Sequence, residues 1–412
     1  MQLQRTKDTE PSRMPQLKQS VSGREGKRVL MFIQSLELGG SEKQCVEMAR
    51  LLSRDGFIVT IGCMRRTGPL RRKVAEEGLQ LVEFSVGSLL RPRALFQMLR
   101  LARFIRANCF DVVHANDLYA NLFAVPAAKW AGVRVIVSSQ RDMSDSAWYT
   151  PARRRVLRRI QRMSTHVLVN SAAIRSQLLQ EERFESDRVC IVYNGIDVER
   201  YGSDERQVRT TELGSFLPGA KLIVMVANMH RDVKGHCELL MAAQKVCREH
   251  PRALFLLVGD GEMRGTFEGQ ARSAGLENSV RFLGHRTDVA EILTHCHIGV
   301  LASRAEGLPN AVMEYMASGL ATIATSVGGV PEIVENEVNG ILVAPRNPDA
   351  LSDAILRVLN DEDLRRRLGK AGRETMQLKC GFASLLRNLR NIYQGRSAAA
   401  LPIQPHQTIA AD

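Results

Sequence analysis

The sequence predicts a two-domain α/β protein, each domain a mostly parallel sheet covered by helices. Three observations carry this. From Arg28 onward, short β-rich runs alternate with longer stretches of helical apolar spacing, the alternation that crossover connections in a parallel sheet require. The same alternation breaks off in a polar stretch and restarts at Lys221. Finally, 412 residues, 44% of them hydrophobic, suffice for two ordinary cores.

In chain order, RVLMFIQSL reads as the first strand, GGSEKQCVEMARLLSRDG as a helix closed by Gly56, and FIVTIGCM as a strand. ALFQMLRLARFIRANC is helical and leads into DVVHAND; NLFAVPAAKWAG precedes VRVIVSSQ. After the arginine-rich helix in TPARRRVLRRIQR, THVLVNS and VCIVYNGID finish the first series. The second series opens with the strand KLIVMVANM, the helix GHCELLMAAQKVCREHP and the strand ALFLLVGDG. MRGTFEGQARSAG and RTDVAEILTHC are its next helices, with SVRFLGH and HIGVLAS as strands. EGLPNAVMEYMASG, LATIATSV, VPEIVENEV and GILVAP follow, then the helices PDALSDAILRVLNDEDLRRRLGKAGRETM and SLLRNLRNIYQ.

These runs set the expected boundaries. A polar lead-in covers 1–27, the first domain 28–205, a hinge or linker 206–219, and the second domain 220–380. A C-terminal helix at 381–394 is expected to return to the first domain, and a loose tail covers 395–412. Open α/β domains bind ligands at the carboxyl ends of their strands, and two such domains facing each other create a cleft.

The chain carries 57 Lys and Arg against 44 Asp and Glu, a formal net charge of +13. The excess is dense in MRRTGPLRRK, RPRALFQMLRLARFIR and TPARRRVLRRIQR. Such charge attracts nucleic acid, anionic lipid or a phosphate-bearing substrate. Aromatic residues are only 5%, and no arginine run is interleaved with stacking rings, which argues against nucleic acid. In the third run Val156, Leu157, Ile160 and Met163 form an apolar stripe among Arg153, Arg154, Arg155, Arg158, Arg159 and Arg162. Two readings stay open: a solvated helix packed on its own domain, or an interfacial helix in peripheral contact with an anionic membrane.

No stretch approaches the roughly 18 consecutive apolar residues of a membrane span. The opening MQLQRTKDTEPSRMPQLKQSVSGREGKR has no apolar h-region, so a cytoplasmic protein is expected, with the inner face of the cell membrane as its other possible station. Eight cysteines occur without a CxxC pair, suggesting neither a disulfide framework nor a thiolate metal site. Most are expected to be small buried hydrophobes.

Glycines mark two turns. VGDGEMRG places Gly259, Gly261 and Gly265 after a strand, but the third is one position late for a dinucleotide fingerprint and Asp260 occupies the turn. No acidic residue caps a following strand to grip a ribose, so a nicotinamide site is rejected. What remains is a tight turn lining a cleft, where glycine permits close backbone approach. In LELGGSEKQ, Gly39 and Gly40 join the first strand to the first helix. Ser41 is expected to cap that helix, whose amino end offers free N–H groups to an anion, although Glu42 can use the same field. No Walker lysine motif occurs.

EGLPNAVMEYMASG, residues 306–319, carries the chemistry. Pro309 lacks an N–H and suits a first helical turn. Glu306 then lies in the loop ahead of the helix and Glu314 about a turn inside it. A carboxylate accepts hydrogen bonds from adjacent hydroxyls, so the pair could hold two hydroxyl-rich rings while the helix start holds a diphosphate between them. The alternative is that Glu314 merely favours the helix and Glu306 is solvated. In ANMHRDVKGH, straight after the first strand of the second series, Lys234 and Arg231 are the candidates to offset diphosphate charge. His230 and His236 read as neighbours, and His295 and His297 around Cys296 do not make a zinc site.

EGLPNAVMEYMASG resembles the E-x7-E signature of the retaining GT-B glycosyltransferases, the large family that includes sucrose synthases and many mannosyl- and glucosyltransferases. GGSEK, VYNGID, KGH, GDG, VRFLGH and TSVGGVPEIV resemble its other segments in the same order, over roughly Val29 to Tyr393. The resemblance implies two Rossmann-like domains facing across a deep cleft, the first on the acceptor side and the second binding the nucleotide-sugar. It implies Glu306 on hydroxyls of the donor sugar and Glu314 on the ribose. Gly307, Leu308, Pro309 and Asn310 would bring backbone near sugar and phosphate, Lys234 would neutralise phosphate, and Gly39 and Gly40 would press on donor phosphate and acceptor. Gly259, Gly261 and His285 would complete the donor site. His114, in VVHAND, would contact the transferred sugar; by its chemistry alone it could equally be a hydrogen-bonded strand-end residue. The family often has an arginine five places before the lysine, where this chain has Met229; Arg231 stands three places before.

The implied reaction is hexosyl transfer from a nucleotide diphosphate sugar to a lipid-linked or glycan acceptor, with retention and without metal or cofactor, in surface polysaccharide or glycolipid synthesis. No carboxylate nucleophile stands out in the first half, with Asp117 and Asp142 as the residues to check. A sugar-nucleotide epimerase of the same architecture, or a non-catalytic glycan- or nucleotide-binding scaffold, are the alternatives.

Overall fold

The computed structural model describes residues 26–142, 150–202 and 219–395. The expected lead-in through residue 25, the linker 206–218 and the tail from 396 lie outside the described residues. The first series runs β1 (Arg28–Ile33), α1 (Gly40–Arg54), β2 (Ile58–Cys63), α2 (Leu70–Glu76), β3 (Gln80–Glu83), α3 (Pro92–Ala107), β4 (Val112–Ala115), α4 (Leu118–Ala131), β5 (Val135–Gln140), α5 (Pro151–Gln161), β6 (His166–Val169), α6 (Ala172–Gln180) and β7 (Val189–Ile191). They build a seven-stranded sheet in the order β3-β2-β1-β4-β5-β6-β7. The pairs of β1 with β2 and β4, of β2 with β3, of β4 with β5 and of β6 with β7 are all parallel.

The second series runs β8 (Lys221–Val226), α7 (His236–Glu249), β9 (Ala253–Val258), α8 (Arg264–Ser273), β10 (Val280–Gly284), α9 (Val289–His295), β11 (Ile298–Leu301), α10 (Asn310–Ala317), β12 (Ala321–Thr325), α11 (Val330–Ile333), β13 (Ile341–Val343), α12 (Pro348–Asn360), α13 (Glu362–Thr375) and α14 (Phe382–Tyr393), with a π-helical turn at Met376–Cys380. Its six strands order as β10-β9-β8-β11-β12-β13, again parallel. Each sheet therefore reverses its direction of growth once, beside its first strand: between β1 and β4, and between β8 and β11. Such a reversal leaves a crevice beyond the strands' carboxyl ends.

The chain packs as two compact units. One comprises the described residues up to Ser139 with Arg159–Thr165; the other comprises Gln140–Arg158 and the chain from His166 on. In the first, Val29 to Ile33 are wholly buried, as a central strand covered on both faces must be. Phe32 meets Phe84 and Phe123 with ring centroids 6.1 and 5.5 Å apart, and Phe104 meets Phe84 and Phe110 at 5.6 and 5.7 Å. Five of the 13 phenylalanines are thus spent on this core.

In the second unit, Gly299 on β11 lies under the ring of Tyr315, where a Cβ would strike the ring. The Tyr315 hydroxyl accepts the Val226 N–H at 2.6 Å and lies 3.4 Å from the Val300 carbonyl. This buried phenol ties α10 to β8 and β11, and its burial pushes the hydroxyl's pKa up.

Two local expectations change. Ser41 does not cap α1: the helix begins two residues earlier than such a cap implies, Gly39 takes the N-cap position without a side-chain cap, and the Glu42 carboxylate folds back over Gly39. A carboxylate in the first turn serves the helix dipole in place of the hydroxyl. Pro309 is the N-cap of α10 and Asn310 its first residue. On α5, Arg154 pairs with Glu181 at 3.0 Å and Glu182 at 3.5 Å, and Arg158 with Glu182 at 3.5 Å, while Leu157 is buried. Those two arginines are engaged by the protein itself. Cys45, Cys63, Cys190, Cys296 and Cys380 are buried, Cys237 and Cys247 half-buried and Cys109 exposed, all as free thiols.

Candidate active site

The second sheet gathers candidate side chains at one edge. Lys234 follows β8 and Glu306 follows β11, so the two strands flanking the reversal deliver them to the same place. Lys234 Nζ is 2.6 Å from Glu306 Oε1, and Ser303 Oγ donates to that oxygen at 2.6 Å. Only 8% of the Glu306 side chain is exposed, which removes the reading of a solvated loop residue. Ser303 is itself fixed, its carbonyl accepting from Thr325 Oγ1 at 2.5 Å.

The turn that carries Lys234 is built for close approach. Gly235 has φ +77 and faces the Ala302 carbonyl, leaving no room for a Cβ. Arg304 reaches Asp232 Oδ2 at 2.7 Å and Glu238 Oε1 at 2.8 Å, tying the loop after β11 to the turn and to α7. Gly259 and Gly261, at φ +143 and +158, press against the Ala227 carbonyl and the Met229 backbone. The loop after β9 is thereby stacked on the loop after β8. Asp260 accepts from Gly261 N at 2.8 Å and pairs with Arg264; those donors, led by the backbone N–H, hold its carboxyl below the usual range, and the exposed His285 adds to that field.

The segment from Gly307 to Asn310 is gripped from a different part of the same unit. Asn194, 4% exposed, accepts from Arg141 Nη1 at 2.7 Å and donates to Asn310 Oδ1 at 2.8 Å and the Leu308 carbonyl at 3.3 Å. Gly307 lies against the Arg141 carbonyl and receives the Gly329 N–H at 2.8 Å. Asp142, open at its edge but set deep among protein atoms, lies in the fields of Lys234, Glu306 and Arg141. The crowding around it pushes its carboxyl up; Lys234 opposes this, Glu306 reinforces it, and Arg141 opposes it.

Of the sequence candidates, Lys234, Glu306, Leu308 and Asn310 are linked by these contacts. Glu314 lies half-buried on α10, and Arg231 is exposed in the loop after β8. In the first unit, His114 is fully buried on β4 with Nε2 2.7 Å from Ser139 Oγ, and Gly39 and Gly40 open α1 beside the β1–β4 reversal. Asp117 is a structural acid: it caps α4 through Ala120 N at 2.8 Å and accepts Gln34 N at 2.7 Å. Sequence reasoning missed Ser303, Arg141 and the role of Asn194; the VYNGID fragment contained the last without a reason for it. Among the described residues no three His, Cys, Asp or Glu side chains are grouped to hold a metal.

The chain carries two once-reversing parallel α/β sheets, the second with a lysine–glutamate pair at its reversal. The family model for glycosyl transferases group 1 matches residues 214–375, and that for glycosyltransferase family 4 matches 38–200. Together they take in most of both strand series: the chain belongs to the GT-B glycosyltransferases. It is 22% identical over 342 residues to the UDP-Gal:alpha-D-GlcNAc-diphosphoundecaprenol alpha-1,3-galactosyltransferase of Escherichia coli, covering 79% of this chain and 86% of that one. It is 30% identical over 202 residues to the N-acetyl-alpha-D-glucosaminyl L-malate synthase of Bacillus anthracis, 49% of this chain and 52% of that one. The chain thus spans only about half the length of that relative. In fold it matches Anabaena HepE, solved in complex with UDP and glucose, with a TM-score of 0.81 at 19% identity, over 89% of this chain and 99% of that one.

Proposed function

We propose that this chain transfers a hexosyl unit from a nucleotide diphosphate sugar to a lipid-linked or glycan acceptor, with retention at the anomeric carbon. The observation that carries the reading is the convergence of Lys234 Nζ and Ser303 Oγ on one oxygen of Glu306 at the β8–β11 reversal. It puts a fixed cation and a fixed carboxylate where a parallel sheet presents its ligand.

In the proposed reaction the bond between the anomeric carbon and the diphosphate oxygen breaks. The acceptor hydroxyl forms its new bond on the same face, and its proton passes to the departing diphosphate. Lys234 and Arg231 stabilise the charge that grows on that leaving group, a role here given to side chains rather than to a metal. Glu306 orients hydroxyls of the sugar and Glu314 those of the ribose. The names of the Escherichia coli relative and of the liganded Anabaena structure support a nucleotide-sugar donor, with UDP-hexoses the first to try. The test is a panel of nucleotide-sugars with lipid-diphosphate and free-sugar acceptors, with product anomers assigned by NMR. A retained linkage from one donor supports the reading. An inverted product, or release of an epimer without acceptor, overturns it.

A further inference from the structure

α3 buries one face in the core of the first unit and presents the other to solvent with apolar side chains. Ala94, Gln97, Leu101, Phe104 and Ile105 are buried, whereas Leu95, Phe96 and Leu99 are 55%, 60% and 41% exposed. Leu90, just ahead of the helix, is 96% exposed. Helical spacing puts 95, 96 and 99 on the outer face with Arg103 one turn further along. Four of the ten exposed large hydrophobics among the described residues therefore fall within ten consecutive positions. An outward cluster of this kind marks an interaction surface, where scattered single residues do not.

The charge around the cluster has one sign. Between Phe84 and Phe110 there are five arginines and no acidic residue. Arg100 lies over the Phe84 ring at 5.9 Å and Arg106 donates to the Trp130 carbonyl at 2.7 Å, so these two are engaged. Arg91, Arg93 and Arg103 are exposed, and their guanidinium groups make no hydrogen bond or ion pair with the described residues. Leucine and phenylalanine side chains rimmed by free guanidinium groups fit a surface that is apolar just below an anionic layer. A second copy of this chain would bring like charges together at the rim, and nucleic acid would leave the leucines wet. No described helix is long and apolar enough to cross a membrane, so the contact is one of lying on the surface.

We propose that the outer face of α3, with Leu90, docks on an anionic lipid bilayer. Leu90, Leu95, Phe96 and Leu99 enter the acyl boundary, and Arg91, Arg93 and Arg103 reach lipid phosphates. The inference does not depend on the transfer reaction, since neither Glu306 nor Lys234 enters it. Sedimentation of the full chain with phosphatidylglycerol–phosphatidylcholine vesicles, against phosphatidylcholine alone, tests it. Wild type sediments with the anionic vesicles and is released by high salt. Phe96→Ser with Leu99→Ser lowers partitioning roughly tenfold or more, and Arg91→Gln, Arg93→Gln and Arg103→Gln together do the same at low salt. Both variants keep the wild-type melting temperature, because the changed side chains are solvent-exposed. Wild type that stays in the supernatant, or variants that bind as wild type does, overturns the proposal. So does loss of binding on Arg155→Gln with Arg159→Gln, which would assign the contact to α5, or a wild-type dimer that Phe96→Ser with Leu99→Ser dissolves.

Discussion

Gly328 packs against the carbonyl oxygen of Glu306 so closely that no Cβ fits between them, and the neighbouring Gly329 N–H bonds the Gly307 carbonyl at 2.8 Å. The loop after β12 therefore supports the backbone that holds the catalytic carboxylate proposed above. Gly328 also has φ +53, which a side chain tolerates poorly. Gly328→Ala is expected to displace Glu306 and to lower kcat by at least roughly tenfold, because small misplacements at a reacting centre are expensive. Gly265→Ala, where nothing lies within 4 Å of the added methyl, is the matched control and should retain activity. Steady-state kinetics of the pair checks this; equal activity would remove the supporting role.

The Lys234–Glu306 pair predicts coupled losses. Lys234→Ala removes the cation proposed to meet the leaving group and is expected to cost on the order of 100-fold in kcat. Glu306→Gln keeps the shape and the Ser303 contact but loses the charge that faces Lys234. Because the two groups touch, the double variant should lose less than the product of the single losses. Chelator should leave wild-type turnover unchanged if side chains alone neutralise the diphosphate. Additive losses in a double-mutant cycle would dissociate the two residues.

Much of this architecture was legible in the sequence because both series obey one rule: buried parallel strands are continuous apolar runs, and RVLMFI and ALFLLV are hard to read otherwise. The four-residue β3 and the seven-residue α2 were not read, since an edge strand and a two-turn helix carry too few periods to announce themselves. Glu306 and Lys234 were legible because a proline-started helix and a strand-end loop locate them. Asn194 was not: its partners Arg141, Leu308 and Asn310 are brought to it by tertiary packing, which periodicity does not encode. Ser41 failed as a cap because the helix starts at Gly40, which puts Gly39 at the N-cap and Ser41 inside the first turn.

Asn194 predicts a defect in positioning rather than chemistry. Its side chain is the buried link between Arg141 and the Leu308–Asn310 segment, so Asn194→Ala deprives that segment of two donated bonds, a loss of about 1–3 kcal/mol. We expect donor KM to rise by about tenfold with a smaller change in kcat. Asn194→Asp, which still accepts from Arg141 but cannot donate to Leu308, should resemble the alanine variant. A kcat defect with unchanged KM would contradict the assignment.

Acid should destabilise the second unit through two imidazoles. His236 is 1% exposed and stacked on Phe267 with ring centroids 4.6 Å apart; burial first, with Lys234 adding and Asp232 opposing, lowers its pKa to about 4. His297 accepts the Leu222 N–H on Nδ1 at 3.1 Å, a bond only the neutral ring can make. Burial, then Lys221 and Arg365 against Glu362, lowers its pKa to about 4 as well. The unfolded chain, with histidines near 6.5, takes up these protons first. The stability they contribute is therefore complete above about pH 6.5 and is lost as pH falls toward 4. At pH 5 the two together should cost on the order of 3 kcal/mol, with the half-exposed His297 discounted for solvent screening. Urea midpoints measured from pH 7 to pH 5 should fall accordingly, and His236→Leu, which fills the same apolar site without a titrating nitrogen, should flatten the larger part of the slope. A midpoint that does not move across that range would mean that both rings already exchange protons freely with solvent in the folded chain.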